Sequence, residues 1–300
     1  MFSASGLPKK NVFWLKNGTV PNRPRTIENS HRKVEPMRLP AFVVLATTLT
    51  LYSPTTFAAP GQQSGKDGEF EAREYKDANG AVLPYRLLKP NGYGTSKKPH
   101  SLLVFLHGAG ERGTNNTAQL RHGKKFMQTA AKEYGSFVLA PQCPNGKRWS
   151  EVYWFATDHA ISDTPAEPMR QVLELIARLQ KEFRIDPDRL YVMGLSMGGF
   201  GTWDVVQRHP KVFAAAVPIC GGGDESKAGR IAKLPTWVFH GAKDGAVKVE
   251  RSRDMVKAIR AAGGNPKYTE FADAGHNAWT PAFSQPELLK WLFAQKRAAE

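Results

Sequence analysis

Gly194-Leu195-Ser196-Met197-Gly198-Gly199 carries the sharpest chemical signal in the chain. A Gly-x-Ser-x-Gly run between a buried strand and a helix is a nucleophile elbow, a turn tight enough that bulk at either flanking glycine would clash. It projects the serine hydroxyl from the sheet edge, above a helix N-terminus that favours negative charge. A hydroxyl is a weak nucleophile until a positioned base takes its proton. The sequence supplies an acid and then a histidine further on. Asp244 follows Trp237-Val238-Phe239-His240-Gly241, and His276 lies in Ala274-Gly275-His276-Asn277. Ser196 is therefore expected as nucleophile, His276 as general base and acid, and Asp244 as the group that orients the imidazole. Asp273 is a rival acid, but it lies three residues from His276 on the same loop, which makes reaching behind the ring harder. His107 and His240 end strands beside glycines, where they are expected to support loop geometry.

Strands and helices alternate around these residues. Segments 69–75 and 83–88 suit an antiparallel pair turning at Asn79-Gly80. Apolar runs at 101–106 and 136–140 suit buried strands, and 190–193, 214–220, 236–240 and 267–271 are further strands. Met169, Val172, Leu173, Ile176, Leu179 and Phe183 form one helical stripe behind Pro165 and Pro168, Ile185-Asp186-Pro187-Asp188 has turn chemistry, and 288–298 closes the chain as an amphipathic helix. The expected fold class is α/β, a mostly parallel central sheet with helices on both faces, in one domain over 69–300. The loop Leu106-His107-Gly108-Ala109-Gly110 should then supply one oxyanion-binding N–H, from Ala109 with Gly108 as the alternative, and Met197 the other. Trp149, Tyr153, Trp154 and Trp279 are candidates for stacking on an aryl or sugar group, with Trp149, Trp154 and Trp279 the favoured three. No His/Glu/Cys cluster shows metal-ligand spacing, so neither metal nor cofactor is expected.

The chain has 300 residues, 42 Lys+Arg against 27 Asp+Glu and a net charge of +15. Residues 1–58 hold eight of the basic residues and two acidic ones, a net +6, which leaves +9 for the rest. No nucleic-acid recognition motif accompanies that charge. Residues 1–36 read as a disordered or spurious extension. Residues 37–58, with Met37-Arg38, an apolar stretch, Pro54 and Ala58, have the layout of a secretory signal peptide, and 59–68 form a linker. A secreted or periplasmic protein without a stable membrane anchor is the expectation. The strands ending near Cys143 and Cys220 are expected three neighbours apart, too far for a disulfide, which predicts free thiols.

These motifs together resemble the α/β-hydrolase superfamily. Within it they are similar to the secreted carboxylesterase and phospholipase-like group, also catalogued as predicted peptidases and related to feruloyl esterases and polyhydroxybutyrate depolymerases. The resemblance rests on Leu83-Pro84-Tyr85-Arg86-Leu87, the 106–113 loop with Asn115-Asn116, Ala140-Pro141-Gln142-Cys143-Pro144 with Trp149, and residues 185–199. It continues through Pro218-Ile219-Cys220-Gly221-Gly222-Gly223, Asp244 and Gly275-His276-Asn277. One departure is Gly245-Ala246-Val247-Lys248, where such sequences often carry Val-Pro after the acid. The resemblance implies hydrolysis of small-molecule or polysaccharide-linked esters through an acyl-enzyme. A peptidase of the prolyl-oligopeptidase type without a propeller, and a non-enzymatic binding protein on the same fold, are the competing expectations.

Overall fold

The computed structural model describes residues 69–156 and 159–297; the leader and linker segments of residues 1–68 lie outside the described residues. Eight strands form one sheet in the order β1-β2-β4-β3-β5-β6-β7-β8. They are β1 (Phe70–Lys76), β2 (Val82–Leu88), β3 (His100–Leu106), β4 (Phe137–Pro141), β5 (Ile185–Leu195), β6 (Ala215–Ile219), β7 (Trp237–Gly241) and β8 (Lys267–Phe271). β1 and β2 are an antiparallel pair, and β2 runs antiparallel to β4. From β4 through β8 every pairing is parallel. This is the mostly parallel sheet that the sequence predicts. The Asn79-Gly80 turn closes as expected: Gly80 takes a φ of 84°, and the Asp77 carboxylate accepts the N–H groups of Asn79 and Ala81.

Alternation along the buried strands assigns each side chain to one of two cores. Leu102, Val104 and Leu106 face one core with α2 (Glu167–Glu182), α3 (Met197–Arg208) and α4 (Glu250–Ala261). Leu103 and Phe105 face the other, with α1 (Lys124–Tyr134), α5 (Trp279–Phe283) and α6 (Leu288–Ala294). Helices thus cover both faces, and no helix among the described residues is long and apolar enough to cross a membrane.

Two local expectations are corrected. The segment Ile185-Asp186-Pro187-Asp188 belongs to β5, where its turn chemistry appears as an irregularity within the strand. His100 pairs with Ile185 and Leu102 with Leu190, so the intervening residues of β5 bulge out of register. The last helix stops at Ala294, short of residue 298, because β5 captures the carbonyls at its end. Arg189 donates to the Phe293 carbonyl, Tyr191 Oη donates to the Gln295 carbonyl at 2.7 Å, and Gln295 is already extended. Cys143 and Cys220 are both buried free thiols, at the ends of β4 and β6, which stand three neighbours apart as expected.

Candidate active site

β5 delivers Ser196 at the sheet's carboxyl edge, and α3 begins at the next residue. Ser196 adopts φ 54° and ψ −118°, a left-handed conformation that costs a non-glycine residue about 1–3 kcal/mol. The surroundings hold it there. Its N–H donates to the Ile219 carbonyl at the end of β6 at 2.8 Å. A Cβ on Gly198 would overlap the Leu106 carbonyl at the end of β3, and one on Gly194 would overlap the Gly198 carbonyl. The turn is therefore wedged between the ends of β3 and β6 at van der Waals contact, and only glycine fits at its flanks.

The other two residues come from neighbouring strand ends. Asp244 follows β7 and His276 follows β8, and the Lys243 N–H donates to the Ala274 carbonyl to tie the two loops together. Gly241 permits this approach, since a Cβ there would strike the Ala274 and Gly275 carbonyls. The result is a continuous hydrogen-bonded line. His276 Nε2 lies 2.9 Å from Ser196 Oγ, and His276 Nδ1 lies 2.8 Å from Asp244 Oδ2. Asp244 Oδ1 accepts the Ala246 and Val247 N–H groups at 2.9 Å each. The departure from Val-Pro after the acid thus leaves the carboxylate fully supported. Burial alone would raise the Asp244 carboxyl. Hydrogen bonds from His240, His276 and the Val247 N–H outweigh it and hold the group well below the usual carboxylate range. Asp273, the rival acid, points to solvent with a 94% exposed side chain and pairs with Lys243. Asp244 is the acid behind the imidazole.

The 106–113 loop runs beside the serine: a Cβ on Gly108 would stand 3.6 Å from the Ser196 Cβ and 2.8 Å from Leu195 Cδ1. Ala109 opens a short 3-10 turn and Met197 opens α3, so neither N–H has a carbonyl partner within its own turn. His107 anchors this loop. The Cys143 N–H donates to its Nε2 at 2.9 Å, which leaves Nδ1–H to donate to the Gly108 carbonyl at 2.6 Å. That tautomer is neutral, and burial pushes the ring down to about 4. The unfolded chain binds this proton near pH 6.5 and the folded chain does not. The stability it contributes is therefore complete above pH 6.5 and is expected to fall by about 3 kcal/mol by pH 4. Urea denaturation at pH 7 and 4.5 checks this, with a shallower loss expected in His107→Gln. His159, also pushed down to about 4 by burial, contributes with the same sign.

The aromatic candidates separate. Trp279 meets His276 edge-on at 5.4 Å between ring centres and carries His122 at the same distance, next to a groove of about 620 Å³ between α1 and α5. Trp154 stacks on Tyr153 and lies under the Arg112 guanidinium, whose Nε donates to the Ala109 carbonyl. Trp149 is corrected: it is fully buried, donates Nε1–H to the His107 carbonyl at 3.0 Å, and packs against Gly201. It supports the loop from within the core and has no face for a substrate. Two residues near the line were not singled out by sequence for this role. His240 approaches Asp244 Oδ2 to 3.2 Å, and Cys220 Sγ lies 3.3 Å from the His276 carbonyl. The His-Gly-x-x-Asp spacing was the available signal for the first; nothing local marked the second. Cys220, His240 and Asp244 bring three possible ligand atoms within 4.8 Å. Both nitrogens of His240 and both oxygens of Asp244 are already engaged in hydrogen bonds, which ties the group into one network.

This sheet, with its elbow serine, imidazole and carboxylate past the ends of β5, β8 and β7, defines a hydrolase of the α/β-hydrolase fold. The family described as Phospholipase/Carboxylesterase matches residues 94–285, and the chain belongs to it. The chain is similar to a solved thermostable esterase, at 41% identity and a TM-score of 0.71 over 77% of this chain and 64% of that one. It is 30% identical over 151 residues to poly(3-hydroxyalkanoate) depolymerase C of Paucimonas lemoignei, covering 46% of this chain and 35% of the relative. It is 23% identical over 188 residues to the bifunctional acetylxylan esterase/xylanase XynS20E of Neocallimastix patriciarum, covering 62% of this chain and 25% of the relative. The chain therefore spans little more than a third, at most, of these two curated relatives.

Proposed function

We propose that the protein is a serine ester hydrolase working through an acyl-enzyme. The observation that carries this reading is the unbroken line from Ser196 Oγ through His276 to Asp244, set at a strained elbow with the Ala109 and Met197 N–H groups opening helical turns beside it. Ser196 Oγ attacks the ester carbonyl as His276 Nε2 takes its proton. Asp244 fixes the tautomer that leaves Nε2 free to accept, and it stabilises the imidazolium once formed. The N–H groups of Ala109 and Met197 receive the oxyanion of the tetrahedral intermediate. His276 returns the proton to the departing alcohol, and water then repeats the sequence on the acyl-serine. All of this chemistry is carried by protein groups.

Trp279, at the ring edge of His276, and Trp154, linked through Arg112 to the Ala109 carbonyl, stand where they would stack on an aryl or sugar portion of the ester. The esters named for two relatives, a polyhydroxyalkanoate and an acetylated xylan, fit a polymer-linked substrate. The layout of residues 37–58 supports a site of action outside the cytoplasm. A panel of acetyl, butyryl and feruloyl p-nitrophenyl esters beside an aminoacyl anilide is the test. Esters are expected to be cleaved with kcat/KM at least about 100-fold above the amide, and a fluorophosphonate is expected to label Ser196. Faster cleavage of the anilide would select the peptidase reading, and absence of both turnover and labelling would select the binding protein.

A further inference from the structure

We infer that His240 is a positioning residue for this reaction, aiming Asp244 at His276 through an N–H shared between the carboxylate and the Val247 carbonyl. The inference rests on the acyl-enzyme reading above. His240 lies one residue before the end of β7 and is fully buried. Its Nε2 is 3.0 Å from the Val247 carbonyl oxygen and 3.2 Å from Asp244 Oδ2. Both neighbours only accept, so Nε2 carries hydrogen and donates between them. Its Nδ1 lies 2.7 Å from Ser252 Oγ on α4, a hydroxyl also 3.3 Å from the Gly221 carbonyl. The ring is gripped at both nitrogens, with no solvent to compete.

The carboxylate needs this second grip. Two N–H groups fix Oδ1, but a carboxylate held at one oxygen can still swing about the bond to its β-carbon. Oδ2 receives His276 from one direction and His240 from another, which sets the carboxylate plane and keeps Oδ2 in line with Nδ1. A donor on Oδ2 also draws charge from the carboxylate. Without it Oδ2 keeps only one side-chain donor, and the carboxylate is free to turn away from Nδ1. A hydroxyl hydrogen donated by Ser252 to Nδ1 polarises the ring and strengthens the Nε2–H donor, so loss of Ser252 acts in the same direction. The other titratable groups facing this pair are the Cys220 thiol from the end of β6, His276 itself, and Glu270 opposite His240 on β8, the last held by Arg253. All of these stay in place in the variants below.

The test measures kcat and KM for p-nitrophenyl butyrate from pH 5 to 9, with fluorophosphonate labelling and circular dichroism alongside. His240→Phe keeps a buried ring and removes the donor. His240→Gln places an amide N–H close to the position of Nε2. For His240→Phe, kcat is expected to fall about 10- to 100-fold with KM changed less than about threefold, as for a misaligned catalytic group. His240→Gln should recover most of the rate. A folded His240→Phe with the wild-type kcat overturns the inference, as does His240→Gln impaired equally with His240→Phe. Should His240→Phe fail to fold, Ser252→Ala decides: kcat lowered at least about threefold with KM unchanged supports the inference, and an unchanged kcat overturns it. Wild-type protein that neither turns over esters nor takes the label overturns the underlying reading instead, an outcome visible before any variant is compared.

Discussion

Ser196→Ala is expected to lower kcat for ester hydrolysis by about 10⁵-fold while leaving the fold and KM nearly unchanged. The hydroxyl spends its hydrogen bond on His276, so its removal leaves no orphaned structural partner. Alanine bears the same backbone strain as serine at φ 54°, and the N–H bond to Ile219 survives. What goes is the atom that forms the acyl bond, and with it the whole two-step route. A residual rate above uncatalysed hydrolysis is expected, because the Ala109 and Met197 N–H groups can still stabilise an oxyanion formed by attacking water. Steady-state kinetics with the fluorophosphonate label as a second readout checks this. Retention of more than about 1% of the wild-type kcat would remove Ser196 from the mechanism.

Asp244→Asn has the second-largest expected effect, a loss in kcat of about 10⁴-fold, equivalent to about 5 kcal/mol of transition-state stabilisation. The reason lies in which oxygen does what. The Ala246 and Val247 N–H groups demand an acceptor at the Oδ1 position, so the asparagine carbonyl must sit there. Its NH2 then faces His276 Nδ1, where the carboxylate had been the acceptor. The imidazole answers by moving its hydrogen to Nε2, which turns a donor towards Ser196 and can no longer take the serine proton. The fold should survive, because the change is isosteric, with some stability lost where the NH2 meets the His240 N–H. Loss of activity in folded protein, checked by fluorescence, is the expected signature, and a kcat within tenfold of wild type would contradict the assigned tautomer.

Much of this site was legible in the sequence because its determinants are local. The elbow needs glycines beside the serine and an apolar strand before it, and both are contiguous from Leu190 to Gly199. Asp244 and His276 were found because each lies in a loop just past a strand. Choosing Asp244 over Asp273 was a matter of reach, and the exposure of Asp273 agrees. Trp149 was misjudged because an aromatic near a site in sequence can face either way. Only the Gly201 hollow on α3, 52 residues further on, decides that it faces the core. The segment 185–188, which leads into the bulge at 186–189, was read as a turn because Asp-Pro-Asp favours both. Which one forms depends on His100 and Leu102 of a strand 85 residues earlier. His240 was recognised as a strand-end support, but its hold on Asp244 depends on Ser252, which no local pattern connects to it.

The placement of the three central residues at the ends of β5, β7 and β8 also governs when the chain becomes active. Ser196 precedes His276 by 80 positions, and the strand that carries the imidazole into place is the last of the eight and lies at the sheet's edge. During synthesis, a chain that has emerged only as far as Asp244, just past β7, holds the serine and the carboxylate but no imidazole to take the serine's proton. On the proposed reading, the serine is activated only when β8 docks on β7 and Gly241 admits the following loop. The growing polypeptide therefore carries no activated serine until nearly every other part of the sheet is in place.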